Sequence, residues 1–424
     1  MGLRTSLGAA FQDARLALTC PADTRRQWEF IDRSQTHQIS LGRSLELGER
    51  VYRDICLADQ FPFQRWSNDR PSALLSKFDA ARPGAADPSP TILPSRSPAN
   101  TTAPTGEAPA SAASIELADL KNHMLELING DRQANGLDLV TLGDNPAAQE
   151  HAEEMSANGY LSHWGMDGMK PYMRYTLAGG VNYEGENASG VITSSWLDVL
   201  ARAVFPEEQL RETQQGFMES PGRRRNIVDP LQKKVNLGIG CNRTTCAVVQ
   251  QFAGEYVKFS EKPAIVDGVL VMAGQLTGGF SLIGIQVWYD PPPHTLELGQ
   301  LDKTYCYDVG TPAAFIREPP RPGTFYSPGL ERFTWDKWLN PYDVPPETPR
   351  VQPGFEATRS TTIGSSNVLW VTARSWMVSG GSFRAEAGLA EVLANHGAGV
   401  YTVLVWGNNG GEDVALTRYS IFVD

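Results

Sequence analysis

Six histidines, five cysteines and a few dense charge runs carry most of the chemical potential of this chain. Ser162 directly precedes His163, which brings a hydroxyl and a base together in sequence. A hydrolase needs more than that: a base aimed at the nucleophile, a group that orients the base, and an oxyanion donor. Chain neighbours seldom point at one another, no Gly-x-Ser-x-Gly elbow surrounds Ser162, and no His-Glu-x-x-His string is present. Cys20, Cys56, Cys241, Cys246 and Cys306 lack the Cys-x-x-Cys spacing of a structural zinc site. Cys241 and Cys246 flank the loop Asn242-Arg243-Thr244-Thr245 and face each other across a hairpin, either as a disulfide or as two buried thiols. A bond closing so short a loop adds little chain-entropy stabilisation, yet it points to an oxidising compartment. Cys20, Cys56 and Cys306 have no evident mates. Glu153-Glu154 reads as a solvated surface pair.

The elements that must position these groups have ample material. The chain has 424 residues, enough for two or three domains at roughly 150 residues each. Its 37 Lys+Arg against 48 Asp+Glu give a formal charge of −11, the wrong sign for neutralising nucleic-acid phosphates or an anionic membrane. Nucleic acid is therefore not an expected partner. No run of about 18 apolar residues exists to make a transmembrane helix. The first twenty residues fail as a signal peptide, because Asp13 and Arg15 interrupt the apolar stretch.

Residues 82–114 hold seven prolines, no aromatic residue and little besides Ala, Ser, Thr and Gly. Such a segment buries too little apolar area to offset its ordering entropy, so it reads as a disordered linker after a poorly defined segment 1–81. From Leu117 the texture becomes helical: Leu117, Leu120, Met124, Leu127 and Ile128 share one side. A second helix starts with Asp144 or Asn145 as cap and Pro146 in its first turn, and stops at Gly159. Its inner face holds Ala148, His151, Ala152 and Met155, with His151 a core histidine. A third helix spans Pro206 to Glu219, Ser220-Pro221 opens a fourth, and strands near 235–241 and 246–252 form a hairpin. Residues 115–258 thus form an α+β domain.

Beyond Phe259 the helical period vanishes, and 14 of the 29 prolines lie there. Alternation in Ile283, Ile285, Val287 and Tyr289, in Tyr401, Val403 and Val405, and in Tyr419, Ile421 and Val423 predicts an antiparallel β-sandwich over 259–424. Asn408-Asn409-Gly410-Gly411 suits a hairpin turn. Of its tryptophans (288, 335, 338, 370, 376 and 406), core and loop-anchoring roles are expected ahead of a carbohydrate-stacking platform.

Within the middle domain, His151-Ala152-Glu153-Glu154-Met155, Tyr160-Leu161-Ser162-His163-Trp164, Gly185-Glu186-Asn187 and Ser220-Pro221-Gly222-Arg223-Arg224-Arg225-Asn226-Ile227 occur in fixed order, with Gly238-Ile239-Gly240 and Gln251-Phe252 behind them. This ordered set resembles the bacterial form of the CAP superfamily, also called SCP-like. The resemblance covers about a third of the chain and implies a three-layer α-β-α sandwich, export from the cell, and a cleft of two histidines and two glutamates that in some members binds a divalent metal. His163 matches the first histidine and Glu186 the first glutamate; Glu219 is the candidate for the second, with Glu212 its rival.

The second histidine of the bacterial pattern is Arg223 here. A guanidinium has five donors and no lone pair, so it cannot ligate a cation. The expectation is a metal-free, cofactor-free cleft in which Arg223 pairs with Glu186 or Glu219; the alternative for Arg223 is a solvated place in its Arg-Arg-Arg run. The functional expectation is an extracellular or cell-surface, non-enzymatic protein whose cleft, lined by His163, Glu186, Glu219 and Arg223, binds a small amphipathic molecule or a cell-wall component. The competing expectation is a metal-assisted or acid-base hydrolase of peptide or cell-wall substrates. The sequence leaves oligomeric state open.

Overall fold

The computed structural model describes residues 112–192, 206–242, 245–303, 306–320, 322, 326, 330–338, 340–349, 361–411 and 413–424. Segment 1–81 and all but the end of linker 82–114 lie outside these residues, as do Cys20 and Cys56. None of the described helices is long and apolar enough to cross a membrane.

Helix α1 (Ala112–Ala134) begins three residues before the expected end of the linker, and its Met124 and Ile128 are buried. It leads into the short strand β1 (Thr141–Leu142) and helix α2 (Ala147–Asn158). Asn145 Oδ1 accepts from the Ala147 amide at 3.1 Å, and Gly159 closes α2 at φ 65°, a left-handed position that favours glycine. Then come α3 (Pro171–Leu177), β2 (Tyr183–Ile192), α4 (Pro206–Glu219), α5 (Pro221–Val228), β3 (Lys234–Cys241) and β4 (Thr245–Ala253). The strands form one sheet in the order β1-β3-β4-β2.

Alternation along the strands builds the layers. Val235, Leu237 and Ile239 of β3 and Val248 of β4 join Met124, Ile128, Leu210, Phe217 and Ile227 from α1, α4 and α5 in one core. Ala188, Ala247 and Val249 face the other way, toward Ala148, Ala152 and Met155 of α2 and Tyr172 of α3. The glycines of Gly238-Ile239-Gly240 explain how closely α2 sits. A Cβ at Gly238 would lie 1.9 Å from the Ala148 carbonyl oxygen, and one at Gly240 would lie 2.5 Å from that of Ala152. Cys241 and Cys246 are register partners on β3 and β4 and are joined by a disulfide.

The rest of the chain is β-rich. Strands β5 (Val257–Val266), β6 (Val269–Leu276), β7 (Ser281–Asp290), β8 (Thr311–Arg317), β9 (Leu330–Trp338), β10 (Thr361–Thr372), β11 (Ser375–Ser379), β12 (Ser382–Gly388), β13 (Gly399–Asn408) and β14 (Val414–Val423) form two sheets. One runs β14-β13-β7-β8-β10-β9, the other β11-β12-β6-β5. Short helices α6 (Leu298–Leu301) and α7 (Ala390–His396) interrupt them. Among the described residues of these two sheets the pairings are antiparallel except β8 with β10, where Ala314 to Arg317 run parallel to Leu369 to Thr372.

The larger sheet is apolar on both faces. Ile285, Val287, Tyr401, Val403 and Val405 meet Leu270, Met272, Phe383 and Ala385 of the smaller sheet. Trp288, Phe315, Val400, Leu404 and Trp406 instead share a core with α2, α3 and β2. Trp288 and Trp406 are therefore core residues, and Trp370 and Trp376 are partly buried. The side chains of Trp335 and Trp338 lie outside the described set.

Candidate functional site

Glu186 projects from β2 toward α3, on the side opposite to its neighbour Asn187. Asn187 Nδ2 donates to the Arg223 carbonyl and to Gln250 Oε1, both at 3.1 Å. Glu186 is 1% exposed, and both carboxylate oxygens are taken. Oε1 accepts from His163 Nδ1 at 2.8 Å; Oε2 accepts from Gln251 Nε2 at 2.8 Å and from Arg174 Nη2 at 3.3 Å. Burial alone pushes this carboxyl up, but the Arg174 charge and the His163 hydrogen bond overcome it, and its pKa settles at about 2. Glu186 is thus a buried carboxylate.

Arg174 is the hub. Its Nη1 donates to the carbonyls of His163 at 3.0 Å and Met169 at 2.7 Å, so one side chain both neutralises the acid and fixes the loop that carries the imidazole. His151 sits behind that loop in the core, with Nε2 2.9 Å from the Ser162 carbonyl oxygen; because a carbonyl only accepts, Nε2 carries the proton. Burial lowers the His151 pKa below its ordinary value. The Ser162 hydroxyl is buried and accepts from the Trp164 amide at 3.1 Å.

The sandwich closes the site from outside. Tyr307 lies on His163 with ring centroids 5.1 Å apart, and the Trp164 indole donates to the Cys306 carbonyl at 2.8 Å. His163 is left 2% exposed. Next to this closure lies a small depression bordered by Trp164, Tyr289, Tyr307, Lys337 and Asn340.

The family model of the cysteine-rich secretory proteins, CAP, matches residues 125–252. This part of the chain is a CAP domain. Among the solved structures similar to this chain are two bacterial proteins. One is an extracellular protein containing a SCP domain from Bacillus anthracis str. Ames, 16% identical, with a TM-score of 0.26 over 35% of this chain and 45% of that one. The other is an outer surface protein from Borrelia burgdorferi, 14% identical, with a TM-score of 0.24 over 32% of this chain and 92% of that one. The similarity thus spans less than half the length of the Bacillus protein. No curated protein matches this chain.

Two of the expected cleft residues of the CAP domain, His163 and Glu186, come together, and two do not. Glu219 is exposed on α4 and accepts from Gln215 one turn earlier, at 3.0 Å. Glu212, its rival, is half-buried on the same helix. The arginine ion pair on Glu186 comes from Arg174 rather than from Arg223, which is not solvated either: it is 3% exposed, with its guanidinium 5.7 Å from the centre of the Phe217 ring. The reason is strand parity. Arg223 enters beside Asn187, while Glu186 is served from the other side by Arg174.

A divalent cation does not fit the residues present. The carboxylate of Glu186 is engaged by three donors, His163 spends Nδ1 on it, and an arginine holds the place of the second imidazole. Among the described residues no three His, Cys, Asp or Glu side chains converge to hold a metal. Sequence reading missed Arg174 and Tyr307 because no spacing marks them; Gln251 lay within a motif string without an assigned role.

Proposed function

We propose that this chain is an extracellular or cell-surface binding protein without enzymatic activity, built from a CAP domain (115–258) and an appended sandwich (259–424). One observation carries this reading: Glu186, the acid best placed for base or ligand chemistry, is fully committed to His163, Arg174 and Gln251. A general base must have a lone pair within reach of substrate, and this carboxylate is buried with both oxygens already accepting hydrogen bonds. The Cys241–Cys246 disulfide supports an oxidising, extracytoplasmic setting.

In this proposal a small amphipathic molecule or cell-wall fragment meets the rim of the cleft rather than the acid. The rim offers rings from Trp164, Tyr289 and Tyr307 beside the polar groups of Lys337 and Asn340, a mixture suited to a ligand with an apolar body and a polar end. The test is a thermal shift of the full chain with a long-chain fatty acid and with a muropeptide, since a ligand of the native state must raise the melting temperature. A shift with either probe that is lost in Trp164→Ala supports the reading. Turnover of a peptide or muropeptide that stops on chelation contradicts it.

A further inference from the structure

Where the CAP domain meets the sandwich, one buried cation faces two buried acids. Lys170, just before α3, places Nζ 2.6 Å from Asp290 Oδ1 and 2.7 Å from Asp308 Oδ1, and donates to the Asp308 carbonyl at 3.0 Å. These side chains are only 4%, 7% and 9% exposed, respectively. Tyr172 O–H donates to the other oxygen of Asp290 at 2.6 Å, the Gly310 amide donates to Asp308 Oδ1 at 2.9 Å, and the Trp164 ring lies 5.0 Å from Nζ. One ammonium cannot balance two carboxylates, and an unpaired buried charge is costly. Burial pushes the Asp290 carboxyl up, Lys170 pulls it down, and the charge of Asp308 pushes it up again; the net direction is upward. The upward shift favours the protonated form of Asp290, the acid that Lys170 Nζ approaches at 2.6 Å.

We propose that Lys170 and Asp290 condense into an intramolecular isopeptide bond across this seam, with Asp308 as proton acceptor and Tyr172 as donor to the developing oxyanion. Burial favours loss of the Lys170 proton, but the two carboxyls outweigh it and the net direction is upward, so the amine is freed only transiently, by transfer to Asp308 across the 2.7 Å contact. Neutral Nζ then attacks Cγ of Asp290. Charge gathers on Oδ2, where the Tyr172 hydroxyl already donates. The second amine proton joins the Oδ1 hydroxyl, the C–Oδ1 bond breaks, and water leaves. Of the three ammonium protons one ends on Asp308, one in the water and one on the new amide; no oxidant or cofactor is involved. Fixed proximity supplies the effective concentration that makes amide formation feasible. The neighbouring depression, about 20 Å³ and bordered by Lys170, Asp290 and Asp308, has room for the departing water.

The product replaces a buried ion cluster with a neutral amide joining residues 120 positions apart, one in the CAP domain and one at the end of β7. Intact mass spectrometry of the full chain, denatured and reduced, tests this. The expected mass lies about 18 Da below that of the sequence, the loss of one water. Digestion should release a branched peptide containing both Lys170 and Asp290, and Lys170→Arg or Asp308→Asn should restore the full mass. Folded wild-type protein at the full sequence mass overturns the proposal, and so does a deficit that persists in Lys170→Arg. The wild-type measurement needs no variant to fold.

Discussion

Tyr307 of the sandwich lies on the imidazole of His163 in the CAP domain, and its hydroxyl shares a 2.7 Å hydrogen bond with that of Tyr183. Because Tyr307 also belongs to the core that α2 and α3 share with the larger sheet, the two parts of the chain close the cleft by the same contacts that hold them together.

Tyr307→Ala should therefore weaken the whole molecule and open the site at once. Truncating a buried aromatic costs about 3–5 kcal/mol, whereas Tyr307→Phe, losing only the hydroxyl bond, should cost about 1 kcal/mol. Calorimetry would read the stabilities. Diethylpyrocarbonate should modify His163 in the alanine variant and spare it in the wild type.

Glu186 ties stability to acid pH. Its folded pKa, about 2, lies below the ordinary value of 4.5, so the folded state resists protonation more than the unfolded one. The sign is that of a depressed acid: the contribution is full above pH 4.5 and is lost as pH falls toward 2. Its size is about 3 kcal/mol, from roughly 1.4 kcal/mol for each tenfold change in proton affinity. In Glu186→Gln, Arg174 is left buried without its anion, so stability at neutral pH should drop by about 3–5 kcal/mol and the loss between pH 4.5 and 2 should flatten. Urea midpoints across that range would show both effects.

His151 acts in a different window. Burial first, then the charge of Arg174, hold its pKa below 6.5 despite the nearby acids, so it is neutral when folded. A depressed histidine costs stability once the unfolded chain protonates, hence stability should decline as pH drops below 6.5. His151→Gln should remove that slope, leaving the decline due to Glu186 at lower pH, as urea midpoints would show.

Arg132 tests the outer layer. It is fully buried and donates to the carbonyls of Asp138 at 2.8 Å, Ile227 at 2.6 Å and Asp229 at 2.9 Å, gathering the end of α5 and the segment after α1. Arg132→Met keeps much of the volume but orphans those carbonyls, and should cost about 2–4 kcal/mol in a denaturant titration.

Gly238 and Gly130 should respond in opposite senses. A methyl at Gly238 drives into the backbone of α2, so Gly238→Ala should cost about 3 kcal/mol or prevent folding. At Gly130, exposed within α1 with open space around it, alanine should stabilise by about 0.5–1 kcal/mol. Melting temperatures compare the pair.

Local signals in the sequence located α2, α4, the β3–β4 hairpin and the turn before β14, since caps, glycines and short periods act over few residues. Gly159 and Pro206 mark their boundaries directly. What stayed hidden depends on distant packing. Alternation in β13 reads as one buried face, yet Val400, Leu404 and Trp406 face the CAP domain while Tyr401, Val403 and Val405 face the other sheet. For the site, the motifs identified the pair His163 and Glu186 but not which cation answers the acid. Arg223 occupies the expected sequence position and Arg174 the spatial one, because neighbouring strand residues point to opposite layers.

Glu186 is neutralised by groups of the protein itself, which leaves it no role as a metal ligand. Calorimetric titration of the full chain with zinc at neutral pH tests this most directly. The predicted result is no saturable binding at micromolar concentration and no change in melting temperature. Stoichiometric, saturable binding that disappears in Glu186→Gln and in His163→Ala would contradict it.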